Sequence, residues 1–136
     1  MDHDNLSCLR TSNGVAKYHN ALLYVALTRL RGKHPCGNIM FADFYQPIIR
    51  ILQNPSHFGF TADGVLKACC GTGGAYNWNA SATCAMPGVV AACKNPSSSV
   101  SWDGIHYTDA VYRYIAEGSW LYGPYAHPPI LAAIQH

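Results

Sequence analysis

Trp102-Asp103-Gly104-Ile105-His106-Tyr107-Thr108 is the stretch whose reading decides the fold. Val100-Ser101-Trp102 makes a short strand candidate that ends at Asp103. Thr108 is a good N-cap for a last helix outlined by Ala110, Val111, Tyr114, Ile115 and a C-terminal Gly118. A strand that stops in a tight loop and re-enters a helix is α/β grammar. The loop carries an Asp and a His three residues apart. Such a pair suits acyl transfer, because neutral imidazole must accept a nucleophile's proton and hold it. A carboxylate on the other ring nitrogen fixes the tautomer and steadies the imidazolium. Spacing alone is a weak signal, since a surface Asp beside a packed His gives the same pattern.

The chain offers no matching nucleophile. It contains no Gly-x-Ser-x-Gly, no Gly-Asp-Ser and no Gly-x-Asn-Asp. Ser119 follows Gly118 but lies late in the last helix, after His106. A serine from 97–99 has no strand-turn-helix setting. The base half of the chemistry is present and the nucleophile half is absent, as expected of the C-terminal part of an ester hydrolase.

Working outward, residues 11–31 carry the best helical pattern, with Val15, His19, Leu22, Leu23, Ala26 and Leu30 on one face. Thr11, Ser12 or Asn13 is expected to cap its start, and Gly32 and Pro35 to stop it. The run 38–43, Asn-Ile-Met-Phe-Ala-Asp, reads as a buried parallel strand with Asp43 at its carboxyl end. Pro47 suits the first turn of a second helix ending near Leu52. Residues 54–99 form a long irregular segment, and 123–129 an extended tail. Two short strands are too few for a complete sheet, so apolar helix faces are expected to lie exposed.

The composition narrows the class. The chain has 136 residues, 49% apolar and only 12% charged, with a net charge of +2. That charged fraction is about half the usual share, which fits a glycosylated exterior or a piece of a larger body. Basic residues do not cluster, so no nucleic-acid footprint is expected. No apolar run reaches the length of a membrane span. The His residues at 3, 34, 57, 127 and 136 show no ligand spacing, so no metal is expected. His19 reads as a satisfied core histidine. Asp43, at a strand end, could reach the site; Tyr24, Tyr45, Tyr112 and Tyr114 read as core or rim, while Trp102 reads equally as a site wall or as packing.

The six cysteines stand at 8, 36, 69, 70, 84 and 93, none in Cys-x-x-Cys spacing. Four fall in the Gly/Asn/Ala/Ser-rich region 69–93. At least one disulfide is expected to join Cys69 or Cys70 to Cys84 or Cys93, a device of secreted proteins. Asn5-Leu6-Ser7 and Asn79-Ala80-Ser81 are glycosylation sequons. Yet Met1-Asp2-His3-Asp4-Asn5 has neither a basic nor an apolar signal region. A secreted-type chain that starts this way is expected to lack its true N-terminus.

The blocks Lys67-Ala68-Cys69-Cys70-Gly71, Tyr76-Asn77, Cys84, Val100 to Thr108 and Tyr112-Arg113-Tyr114-Ile115-Ala116 closely resemble the C-terminal blocks of plant GDSL esterase/lipases, a branch of the SGNH hydrolases. Cys8-Leu9, Asn13, Tyr18-His19-Asn20, Leu22-Leu23, Phe41 to Tyr45, Arg50, Asn54-Pro55 and Phe58-Gly59-Phe60 follow in the same order. The resemblance runs from about residue 5 to 130. It implies one domain fragment, 1–136, of a three-layer α/β/α, flavodoxin-like fold with an incomplete sheet. It carries over Asp103 and His106 as catalytic acid and base. The nucleophilic Ser and the Gly and Asn of the oxyanion blocks have no match here.

The expected function is thus the C-terminal part of a secreted carboxylic ester hydrolase using a Ser–His–Asp acyl-enzyme route. It would need no cofactor and act on a small-molecule or lipid ester. The competing reading is a non-catalytic secreted remnant that serves as a binding or interaction protein.

Overall fold

The computed structural model describes residues 2–89 and 93–133, so His136 lies outside it. The chain divides into two compact units, residues 1–49 with 115–136, and residues 50–114.

The first unit is built on helix α1, Arg10–Lys33. The expected caps Thr11, Ser12 and Asn13 lie inside the helix, and Leu9 holds the N-cap position without a side-chain hydrogen bond. The capping groups come from further upstream. The Asp2 carboxylate accepts Thr11 N–H at 3.0 Å and the Thr11 hydroxyl, while Asp4 closes the turn before the helix by accepting Leu6 N–H and Cys8 N–H, each at 2.9 Å. Gly32 does not stop the helix either. An isolated glycine costs a helix only about 1 kcal/mol, whereas Pro35 removes a donor and restricts His34 before it. The helix accordingly ends at the C-cap His34.

No residue of α1 is buried. Val15, Tyr18, Leu22 and Val25 are 45–69% exposed, as expected of an apolar face without a sheet to cover it. His19, expected in a core, is exposed for the same reason, its Nδ1 lying 3.3 Å from Asn20 Oδ1.

The expected parallel strand 38–43 is corrected to a two-residue strand, β1 (Phe41–Ala42). It pairs antiparallel with β2 (Ala126–His127), Phe41 opposite His127 and Ala42 opposite Ala126. A parallel strand needs neighbours delivered by crossover connections. Here the extended tail supplies the partner instead. Tyr24 sets its ring edge-on to Phe41 and His127, and Arg31 donates to the His127 carbonyl at 3.0 Å.

Asp43 then caps helix α2 (Tyr45–Gln53), its Oδ1 accepting Tyr45 N–H at 2.8 Å and Gln46 N–H at 3.2 Å. Pro47 falls in the first turn, as expected. Helix α3 (Asp109–Arg113) continues as a π-helix over Tyr114–Leu121 and so passes Gly118, where the sequence placed its end. The turn comes at Gly123. A Cβ there would overlap the Gly118 carbonyl and approach Ser119 O to 2.8 Å. A final short helix, α4, spans Ile130–Ala133.

The second unit is irregular over most of its length. Its regular pieces are 3₁₀ turns at Pro55–Phe58, Ala62–Gly64 and Pro96–Ser98, the end of α2 and the start of α3. Two disulfides, Cys69–Cys93 and Cys70–Cys84, do what regular hydrogen bonding does elsewhere. Phe60, Ala68, both half-cystines 69 and 70, Val100 and Val111 are buried around them. Cys8 and Cys36 are free thiols. The whole is a small, mainly helical α/β fragment with a two-stranded sheet.

Candidate functional site

The strand candidate 100–102 appears as a single bridge, Ser101 to Tyr107, rather than as a strand. The backbone there is still fixed on both sides. Val100 N–H donates to Gly64 O at 3.0 Å, and the carbonyls of Ser101 and Trp102 accept from Cys69 N–H at 3.0 Å and Cys70 N–H at 2.6 Å. Trp102 N–H donates across the loop to His106 O at 2.8 Å. The segment 102–106 therefore leaves and returns to a frame set by the two adjacent half-cystines.

Within the loop, Asp103 organises the turn. Its Oδ1 accepts Ile105 N–H at 2.9 Å and His106 N–H at 2.7 Å, an Asx-type turn that bends the chain back on the carboxylate. Gly104 N–H donates to Ser101 Oγ at 3.1 Å, and Gly104 takes a φ of +87°, open to glycine at no steric cost. The turn leaves Oδ2 for the imidazole: His106 Nδ1 lies 2.7 Å from it. The sequence-identified Asp and His are thus brought together, with Asp103 18% and His106 65% exposed at the side chain. With Nδ1 on the carboxylate, Nε2 is the nitrogen left for a third group.

Burial alone would raise the Asp103 pKa. The hydrogen bond from the His106 ring, those from His106 N–H and Ile105 N–H, and the imidazole's charge outweigh it, lowering the carboxyl to about 2 from 3.8. A depressed folded-state value means that the carboxylate's contribution to stability is fully present above about pH 3.8 and is lost as pH falls through about 2. Carbon-13 NMR titration of the Asp103 carboxyl should show a midpoint near 2. A midpoint at 3.8 would mean that the turn does not hold in solution.

The other expected residues sort clearly. Thr108 occupies the N-cap position of α3, but its hydroxyl donates to Ser99 O at 2.6 Å and ties the helix start to the 3₁₀ turn before it. Trp102 is half-buried and lines a cavity of about 390 Å³ with Pro96, Tyr107, Thr108 and Tyr112, a cavity that neither Asp103 nor His106 lines. A larger cavity, about 690 Å³, lies under the disulfide loops between Lys67, Lys94, Asp63 and Asn77. Ser119 is buried in the other unit, its hydroxyl without a partner among the described residues. Among the described residues no group of three or more His, Cys, Asp or Glu is arranged to hold a metal ion, and no helix is long and apolar enough to cross a membrane. The sequence reading missed Trp78, which packs on Gly104; its only signal was an aromatic residue inside the Cys70–Cys84 loop.

Known proteins align with nearly all of this frame. A GDSL esterase/lipase of Arabidopsis thaliana is 47% identical over 122 residues, 90% of this chain and 30% of the relative. The chain is homologous to the C-terminal part of the plant GDSL esterase/lipases. Sinapine esterase of Brassica napus is 42% identical over 93% of the chain and 32% of the relative. Acetylajmalan esterase 2 of Rauvolfia serpentina is 41% identical over 85% and 31%. The chain spans about three-tenths of the length of the curated relatives it matches. No protein-family model and no solved structure matches it.

Proposed function

We propose that this chain supplies the acid–base half of a carboxylic ester hydrolase of the GDSL type. His106 is the general base and Asp103 the carboxylate that orients it. The observation that carries the reading is the 2.7 Å contact between His106 Nδ1 and Asp103 Oδ2 on an otherwise exposed imidazole. In this mechanism Nε2 takes the proton of a serine hydroxyl as the hydroxyl attacks the ester carbonyl. The resulting imidazolium then returns that proton to the departing alkoxide. The carboxylate stays ionised throughout and holds the tautomer.

On this reading the serine and the oxyanion donors come from the rest of the enzyme. In the whole enzyme they complete a three-layer α/β/α SGNH hydrolase whose sheet is only begun here. Its substrate is a small-molecule or lipid ester, and no cofactor enters the route. The two disulfides and the exposed sequon residues Asn5 and Asn79 support a secreted glycoprotein.

The test compares the chain with a joined enzyme carrying the N-terminal part of a relative. The 136-residue chain should hydrolyse a simple aryl ester no faster than free imidazole does, because each missing oxyanion donor alone is worth about 10²–10³ in rate. The joined enzyme should turn it over. Robust turnover by the chain alone, lost on Ser119→Ala, would reassign the nucleophile. A non-catalytic interaction protein is the second reading, favoured by the bare apolar face of α1. A joined enzyme that folds and hydrolyses nothing would select it.

A further inference from the structure

We propose that Trp78 is a positioning residue for the Asp103–His106 pair, held against it by the Cys70–Cys84 loop. The inference rests on the ester-hydrolase reading for its purpose, though not for its geometry.

The turn that presents His106 has one place without a side chain, Gly104. Trp78 fills that place. A Cβ at Gly104 would overlap Trp78 Cδ1 and lie 2.8 Å from Cγ and 2.9 Å from Nε1, so the five-membered ring of the indole sits directly on the glycine. Gly104 is flanked by Asp103, the hydrogen-bond acceptor, and by Ile105, one of its two backbone donors. A lateral shift of Gly104 would therefore displace both ends of the turn that aims the imidazole.

Trp78 is 42% exposed, and what is fixed is the backbone that carries it. It lies inside the ring closed by Cys70–Cys84. The preceding Asn77 has a left-handed φ of +51°, and its Nδ2 donates to Ala68 O at 2.8 Å, while Ala68 N–H donates to Tyr76 O at 2.9 Å. Gly71 leaves room for the Asn77 carbonyl, which a Cβ there would overlap. The same half-cystine, Cys70, donates its N–H to the Trp102 carbonyl one residue before Asp103. The disulfide loop thus grips the catalytic turn twice: by a backbone hydrogen bond at its base and by an indole at its tip. A short loop stripped of regular secondary structure gains rigidity from such a clamp, and a proton-transfer pair needs it. A misplacement of about 1 Å costs on the order of 10² in rate.

The test uses the 136-residue oxidised chain with nitrogen-15 labelled histidine. The proton shared by His106 Nδ1 and Asp103 should give a low-field NMR signal in the parent chain. It should persist in Trp78→Phe, which keeps a flat ring on Gly104, and broaden away in Trp78→Ala. In the joined enzyme Trp78→Ala should lower kcat about 10²-fold with little change in KM, and Trp78→Phe should restore most of it. An unchanged low-field signal in Trp78→Ala would overturn the proposal. So would loss of the Cys69–Cys93 and Cys70–Cys84 pairings in both Trp78 variants, which would make Trp78 a folding residue only. The NMR signal reports geometry whether or not esters are cleaved. A joined enzyme that is inert while the signal behaves as expected would sink the hydrolase reading and leave the role of Trp78 standing.

Discussion

In an enzyme that joins this chain to the N-terminal part of a relative, the proposed roles mean that His106→Ala should cut kcat by about 10⁴–10⁶ and Asp103→Asn by about 10⁴. Those magnitudes are the ones serine proteases show for the same roles. The inequality follows from what each residue does. Without His106 nothing within reach takes the serine proton. With Asp103→Asn the imidazole keeps a partner, but the amide can present an N–H to Nδ1, which favours the tautomer whose Nε2 is already protonated and useless as a base. The asparagine should also spare the turn, because its carbonyl oxygen still accepts Ile105 N–H and His106 N–H, now 2.9 and 2.7 Å from the carboxylate oxygen. KM should therefore move little in Asp103→Asn. Single-turnover kinetics on an aryl ester separate the two variants from a folding defect. Losses below 10-fold in both would remove the pair from the mechanism.

Much of this site was legible in the sequence because it is local. Asp103 and His106 are three residues apart, and one carboxylate both makes the turn and meets the imidazole. Helices α1 and α2 were legible for the same reason, as periodicity and proline placement are properties of neighbouring residues. What failed was whatever depended on distant chain. The run 38–43 has the apolar character of a buried parallel strand, but its pairing partner proved to be Ala126–His127, and the order reversed. The start of α1 is set by Asp2, nine residues before the threonine it binds. Gly118 looked like a helix end, but the helix widens into π geometry and runs on to Leu121, and the turn follows at Gly123, where close backbone contact demands a glycine. Trp78 and Gly104 are 26 residues apart in sequence (104 − 78), and no local rule links an indole to a glycine at that distance. The exposed face of α1 was anticipated from a count of strands, which is a global argument but a simple one.

The disulfides carry the other large effect. Converting Cys69 and Cys70 together to serine should abolish the ordered state of residues 50–114. Each crosslink removes about 3 kcal/mol of denatured-state entropy for loops of this size, so the pair is worth about 6 kcal/mol. Small domains are stable by only about 5–15 kcal/mol in total. This unit has short 3₁₀ turns where others have strands and long helices, so little else can make up the loss. Its buried core also includes the half-cystines at 69 and 70 themselves. Removed singly, the two bonds should differ. Cys69–Cys93 closes 24 residues and Cys70–Cys84 only 14, so loop entropy makes the first worth about 0.5 kcal/mol more. The readouts should rank the other way for the site. Cys84→Ser frees the ring that holds Trp78 and should erase the low-field His106 signal at a smaller cost in stability. Cys93→Ser should cost more stability and leave that signal in place, since Cys69 N–H still reaches Ser101 O through the backbone. Thermal unfolding monitored by near-ultraviolet circular dichroism, run beside the NMR experiment, gives both rankings. A transition unmoved by reducing agent would show that the hydrogen bonds from Cys69 and Cys70 to Ser101 and Trp102 hold the unit without the crosslinks.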